Sequence, residues 1–191
     1  KGDAVLFERG GIYRCTFSVP AGVVYGAYGK GNSGDEAILR STIASMRSID
    51  PLLPLTVMTR KPEETRLLYG VRAIYTFNVP RFLRIAKRTK LFINGGGSLI
   101  QDSTSSRSLW YYLFTIWAAK RLGAKVLMYG CGIGPVTRES HRTLAAKVLN
   151  QSVDVITLRE PDSLEELKSM GVTKPEILLT ADPALTLNRA E

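Results

Sequence analysis

Three glycine-rich segments hold most of the residues in this chain that could do chemistry. The first runs Gly26-Ala27-Tyr28-Gly29-Lys30-Gly31-Asn32-Ser33-Gly34-Asp35-Glu36. The second is Asn94-Gly95-Gly96-Gly97-Ser98, with Gln101 and Asp102 close behind. The third is Gly130-Cys131-Gly132-Ile133-Gly134-Pro135. Glycine turns bring bare backbone N–H groups close to a ligand, and such groups, with helix N-termini, bind anions. A single turn of this kind is most simply a tight connection; three on one edge of a sheet favour a ligand site. The polar side chains among them, Asn32, Asp35, Glu36, Gln101 and Asp102, suit the hydroxyls of a sugar. Asp35 and Glu36 fall in the first turn of a predicted helix, where the charged form of a carboxylate is favoured. That fits hydroxyl binding better than proton donation, with general-base work as the other use. Arg159 and Glu160 close a predicted strand, and a strand-end arginine is either an anion ligand or the partner of a neighbouring acid. Asp182, in Thr180-Ala181-Asp182-Pro183, also follows a strand, or simply makes an Asp-Pro turn.

Gly29 to Gly34 spells G-x-G-x-x-G between a strand and a helix, the setting of a dinucleotide site. Asp35 and Glu36 would repel a diphosphate there, and the second strand ends in Thr59-Arg60-Lys61 without an acid for a ribose hydroxyl. Arg60 could meet a 2′-phosphate, so an NADP-dependent oxidoreductase domain is the alternative reading. The stretch Ser103 to Ser108, with Arg107 in it, is dense in hydrogen-bonding groups; a helix cap explains one serine of it. The single histidine, His141, reads as a solvated surface residue. It has no second histidine or cysteine cluster near it, so no metal site is expected, and no Ser/His/Asp or Cys/His constellation suggests a hydrolase. Trp110, Tyr111, Tyr112 and Trp117 read as helix packing.

The elements that must position these residues alternate strictly. Strands are predicted over 22–28, 55–59, 72–77, 91–93, 125–129, 153–158 and 176–179. Helices are predicted over 35–47, 62–69, 79–89, 106–122, 137–150 and 161–170, from apolar spacing, Pro at helix starts and Gly70, Gly123 and Gly171 at helix ends. Such alternation implies parallel crossovers and a covered sheet, so the fold class is a doubly wound α/β domain over 22–185. Ligands of such sheets bind beyond the strands' carboxyl ends, which is where the glycine segments fall. Residues 1–21 break the rhythm and are read as a hairpin or a disordered extension.

The chain has 191 residues, a formal net charge of +9, 45% hydrophobic and 23% charged residues. It can bury a core without metal or disulfides, and two cysteines, Cys15 and Cys131, make no disulfide framework. That usage points to the cytoplasm. The longest apolar run, 109–119, is too short to span a bilayer. The basic excess attracts anions; Arg81, Arg84, Lys87, Arg88 and Lys90 form a patch read as a solvated helix face or a contact with anionic membrane, which leaves a lectin-like or membrane-recruiting module as a third reading. No nucleic-acid motif accompanies the patch.

The ordered set of motifs resembles the polysaccharide pyruvyl transferase family. Tyr28 to Leu39 is similar to its Y-G-x-x-N-x-G-D-E-A-I-L signature, and Asn94 to Asp102 to its G-G-G-S-L-x-Q-D block. Ser106-Arg107-Ser108 with Trp110-Tyr111-Tyr112, Gly130 to Pro135, Thr157-Leu158-Arg159-Glu160 and Thr180 to Pro183 follow in the family's order. The match points to the CsaB-type subgroup, which modifies a cell-wall polymer. The resemblance implies a two-domain enzyme similar to GT-B glycosyltransferases, of which this chain is the N-terminal, Rossmann-like half, with 186–191 starting the link to a second domain. It implies no cofactor. It implies transfer of the enolpyruvyl carbons of phosphoenolpyruvate onto two hydroxyls of a sugar, N-acetylmannosamine on a lipid-linked precursor, at the inner face of the plasma membrane. It further implies a catalytic histidine beyond Glu191, so that this chain binds part of a substrate and has an incomplete active site. The expected binding residues are Gly31, Asn32, Ser33, Gly34, Asp35, Glu36, Gly95, Gly96, Gly97, Ser98, Gln101, Asp102, Arg107, Gly132, Gly134, Arg159, Glu160 and Asp182, with Asp35 and Glu36 also candidates for catalysis.

Overall fold

The computed structural model describes residues 22–103 and 105–186, together with the backbone of residues 4–8 and 11–15. Two short strands, β1 (Ala4–Glu8) and β2 (Gly11–Cys15), pair antiparallel as a separate two-stranded sheet. The main sheet begins at β3 (Gly22–Tyr25), continues through β4 (Leu55–Thr59), β5 (Arg72–Tyr75) and β6 (Leu91–Gly95), and ends with β8 (Lys125–Ile133), β9 (Val155–Leu158) and β10 (Glu176–Leu179). Its order is β10-β9-β8-β6-β3-β4-β5, every pairing parallel. An additional strand, β7 (Ser98–Ile100), pairs with the far end of β8. This is the α/β, Rossmann-like architecture that the alternation predicts.

Residue parity along the strands sorts the core onto two faces. Val24, Val57 and Ile93 pack with Leu39, Ile43 and Met46 of α1 (Ser33–Ile49). Val23, Met58 and Phe92 face the other way. They pack with Phe82 of α3 (Val79–Ala86) and Leu109, Leu113 and Ile116 of α4 (Ser106–Arg121). Both faces being covered explains why the strands read as continuous apolar runs. α2 (Pro62–Tyr69) starts on Pro62 and stops on Gly70, whose φ of 59° only glycine adopts cheaply. α5 (Glu139–Ser152), α6 (Pro161–Ser169) and a 3-10 turn over Pro183–Thr186 complete the described elements. That turn is tied to α1, where the Ser41 hydroxyl donates to the Pro183 carbonyl at 2.6 Å. Among the described residues no helix is long and apolar enough to cross a membrane.

Two features depart from the predicted elements. β8 runs four residues past its expected end, straight through Gly130-Cys131-Gly132-Ile133. The segment read as a glycine turn is therefore mostly strand, irregular at Gly130 (φ 56°), whose missing side chain leaves room for Pro183. The extension also gives β7 something to pair with. A three-residue strand in a glycine-rich stretch carries no periodicity of its own, so no strand was predicted there.

Candidate functional site

The chain places β4 and β5 on one side of β3, then returns to lay β6 on the other. Neighbouring loops at such a reversal leave in opposite directions and open a crevice beyond the strand ends. A crevice of about 370 Å³ lies there. Its polar wall is Lys30, Asn32, Asp35, Ser98, Gln101 and Arg159; Ile38, Leu99 and Tyr112 supply its apolar wall.

Local chemistry fixes the first side of the crevice. The Asn32 side chain caps α1 by accepting from the Gly34 N–H at 3.0 Å, and its amide donates to Asp35 Oδ2 at 2.9 Å. Asp35 is therefore held at the helix start with one oxygen engaged. Half-burial raises its pKa above the ordinary carboxylate value, against the opposing pull of Lys30, the Asn32 hydrogen bond and Arg159. This corrects the expectation from the helix dipole alone: desolvation outweighs it, and a carboxylate with a raised pKa is better suited to accepting a proton. Glu36, one residue on, is turned inward. Its Oε1 accepts from the Gly29 N–H at 2.7 Å and its Oε2 from the Tyr69 hydroxyl at 3.2 Å. Glu36 thus staples the glycine loop and does not line the crevice.

The glycines turn out to serve packing more than anion binding. The Gly29 and Gly34 N–H groups are taken by Glu36 and Asn32. Gly96 donates to the Tyr129 carbonyl, Gly132 to Gly97 and Gly134 to Ile100. With the Gly29 and Gly34 donors engaged, two of the three glycines of the G-x-G-x-x-G loop offer no amide to a pyrophosphate, which weighs against the dinucleotide reading. At Gly96 (φ 67°) any Cβ would run into the Ile38 side chain, so only glycine lets β6 and α1 close over the crevice floor. Gly97 (φ 71°) would bring a Cβ to 3.2 Å from Asp35 Oδ1. Anion binding passes instead to cations. Lys30 stands exposed in the first loop. Arg159 shares its Nη1 with Asp182 Oδ2 at 3.0 Å and lies 3.9 Å from Glu160 Oε1.

The expected site residues therefore divide. Asn32, Gly34, Asp35, Gly97, Ser98, Gln101 and Arg159 line the crevice. Arg107 lines an adjoining cavity. Gly31, Ser33, Glu36, Gly95, Gly96, Asp102, Gly132, Gly134, Glu160 and Asp182 are not part of the crevice wall; Asp182 acts on it through Arg159. Lys30, Ser108 and Tyr112 were not picked as ligands although they line it. Lys30 carried a signal, as the one cation between glycines of the first loop. Tyr112 carried none, because a buried aromatic in an apolar helix reads as core.

The largest correction concerns Asp102 and His141. His141 is buried, 4% exposed, and its Nδ1 lies 2.9 Å from Asp102 Oδ2. The same carboxylate accepts from the Thr137 N–H and hydroxyl and from the Arg138 N–H, at 2.9, 3.0 and 3.1 Å. These donors hold its pKa far below the ordinary value, the Thr137 N–H first among them. Four donors fill both oxygens, so Asp102 clamps the approach to α5 and has nothing left for a sugar hydroxyl. The ring edge of His141 faces Trp110, centroids 5.9 Å apart. Among the described residues no serine or cysteine hydrogen-bonds His141. Trp110 and Trp117 are 53% and 41% exposed, against the packing roles expected of them. Cys131 is buried, and burial pushes its thiol up to about 12, which leaves it inert at neutral pH. Among the described residues no group of three His, Cys, Asp or Glu side chains could hold a metal ion.

A family model described as polysaccharide pyruvyl transferase matches residues 32–191, from the α1 cap onward, and so covers all of the crevice lining except Ala27 and Lys30. No curated protein matches the chain at a significant level.

Proposed function

Since this chain belongs to the polysaccharide pyruvyl transferase family, we propose that its crevice holds a sugar for ketal formation with phosphoenolpyruvate. The observation that carries the reading is Asp35, a half-buried carboxylate with a raised pKa, flanked in one crevice by Lys30 and Arg159. Family membership makes the chain a transferase acting on a polysaccharide; the geometry supports a division of labour. Asn32, Ser98 and Gln101 hold sugar hydroxyls. Asp35 accepts a hydroxyl proton as the oxygen attacks C2 of the enolpyruvyl group. Lys30 and Arg159 face the carboxylate and phosphate as charge moves to the leaving group. The bookkeeping closes: the two hydroxyl protons end on the new methyl group and on phosphate, and two C–O bonds replace the enol C=C and the bond to phosphate. The carbon acid lies outside what these residues supply.

The finer reading is a CsaB-type enzyme whose acceptor is N-acetylmannosamine on a lipid-linked precursor, working at the inner face of the plasma membrane. Phosphate release from phosphoenolpyruvate, with that sugar as acceptor, tests it. Arg159→Ala is expected to lower kcat/KM about 10- to 100-fold, the worth of one charge-assisted hydrogen bond. Unchanged turnover would remove Arg159 from the anion site, and no phosphate release with any sugar would sink the activity.

Attachment to an anionic membrane is supported by Arg81, Arg84, Lys87, Arg88 and Lys90, all exposed on and just after α3. Sedimentation with phosphatidylglycerol vesicles is expected at low salt, and to weaken in the double variant Arg84→Glu, Lys87→Glu. Equal sedimentation of the two proteins would rule this surface out.

A further inference from the structure

We propose that a second cavity beside the crevice binds a ring bearing a phosphate or diphosphate. The setting rests on the pyruvyl transferase reading, but the site stands on its own observations. The cavity, about 210 Å³, shares Lys30, Ser108 and Tyr112 with the crevice, so an occupant of one touches the occupant of the other.

Its wall is aromatic. Tyr25 meets Tyr111 edge-on at 6.0 Å and lies 5.0 Å from Tyr112 between ring centroids; Tyr111 lies 5.2 Å from Phe77. The Tyr111 hydroxyl is anchored on the Thr76 carbonyl, which fixes the shelf. Phe77 is half exposed, at 48%, so part of its ring is open to an occupant of the cavity. Beneath the shelf, Asn94 sits opposite Tyr25 in the β3–β6 register. It is fully buried, and among the described residues neither end of its side-chain amide has a hydrogen-bond partner. Asn94 lines neither cavity, so it stands behind the aromatic wall and not in the site itself.

The rim is cationic. Lys30, Arg60 and Arg107 all line the cavity, and no acid does. Among the described residues none of the three belongs to an ion pair. Arg60 lies over the Phe77 ring, 5.4 Å from its centroid, which holds the guanidinium beside the shelf. The crevice differs in having Asp35 to balance its cations. Lys30 also faces Asp35 across the shared edge, which leaves Arg60 and Arg107 to be balanced by a ligand group of about two negative charges, as a phosphate or diphosphate supplies. An aromatic shelf calls for a flat or apolar ring face. Sugar phosphates and nucleoside diphosphates share that chemistry, and a phosphorylated sugar is the form in which an acceptor would bring a hydroxyl-bearing ring across Lys30 into the crevice.

Isothermal titration of the chain with pyrophosphate, N-acetylglucosamine 1-phosphate and uridine diphosphate tests the site. Saturable binding is expected for all three. Arg60→Ala and Arg107→Ala should each weaken it about tenfold or more. Arg84→Ala removes the same charge from α3, outside the cavity, and should leave it unchanged. Phe77→Ala should weaken the two ring ligands about fivefold and spare pyrophosphate. Whichever ring ligand loses more in Phe77→Ala identifies the source. Absence of saturable binding, an equal loss in Arg84→Ala, or an equal effect of Phe77→Ala on all three ligands would overturn the proposal. Any of these alongside intact phosphoenolpyruvate-dependent phosphate release would leave the crevice reading standing.

Discussion

Asp35→Asn lowers kcat for phosphoenolpyruvate-dependent phosphate release by about 10²- to 10⁴-fold, the usual range for removing a positioned proton acceptor. The substitution keeps the shape of the side chain and its link to Asn32, so the loss reports proton transfer. Asparagine also removes the like charge that Asp35 presents to an anionic donor, so KM for phosphoenolpyruvate stays level or falls. The pH dependence follows from the sign of the shift. Desolvation raises the Asp35 pKa, and the base must be unprotonated to act. Activity therefore falls as pH drops through a value above the ordinary carboxylate range, and that acid limb disappears in the residual activity of Asp35→Asn. A kcat within threefold of the parent, or an unchanged acid limb, would leave Asp35 as a hydroxyl ligand only.

Asp102→Ala is expected to destabilise the fold by about 2–4 kcal/mol, read as a lower urea midpoint at pH 7 with the same m-value. The carboxylate is almost wholly covered, its side chain 2% exposed. Deleting it strands the Thr137 and Arg138 N–H groups and a buried His141, and each abandoned donor costs more than a hydrogen bond is worth when made. Asp102→Asn should lose about half as much, because one oxygen still serves Thr137. The Asp102 pKa is depressed in the folded state, so its contribution is complete above the ordinary carboxylate value of about 4. It is lost as pH falls from there toward the depressed value. Parent and alanine variant should accordingly draw closer in stability as pH falls from about 4 toward that depressed value. A difference of under 0.5 kcal/mol at pH 7 would mean that the clamp is solvated in solution.

What was legible in the sequence, and what was not, follows from the range of each signal. Helix ends were legible because their causes are local: Pro62 and Pro161 at starts, Gly70, Gly123 and Gly171 after ends. The parallel sheet was legible because alternating strands and helices leave little choice of topology. The crevice could be placed at the strand ends for the same reason. Which side chains enter it could not. Asp35 and Glu36 are neighbours of like chemistry, and only the 100° turn between them on α1 sends one to the crevice and the other to Gly29 and Tyr69. The Asp102–His141 contact spans 39 residues, and nothing near either residue announces the other. The Gly132 and Gly134 N–H groups looked free because their acceptors, Gly97 and Ile100, lie in and just before β7, which is too short to carry a pattern.

The tightly packed glycines behind the crevice also bear on how this protein can change over generations. Gly96 and Gly130 are set against Ile38 and Pro183 with no room for a methyl group, and a main-chain amide cannot be deleted by mutating its own residue. A side chain at either glycine would force its neighbours apart, so selection for a different sugar finds little to act on there. It must work through the rim, where Lys30, Gln101 and Ser108 are partly or fully open and hold no strand in place. A library randomised at those three positions would therefore sample new acceptors at small risk to the scaffold, whereas one centred on the glycines would mostly return unfolded chains.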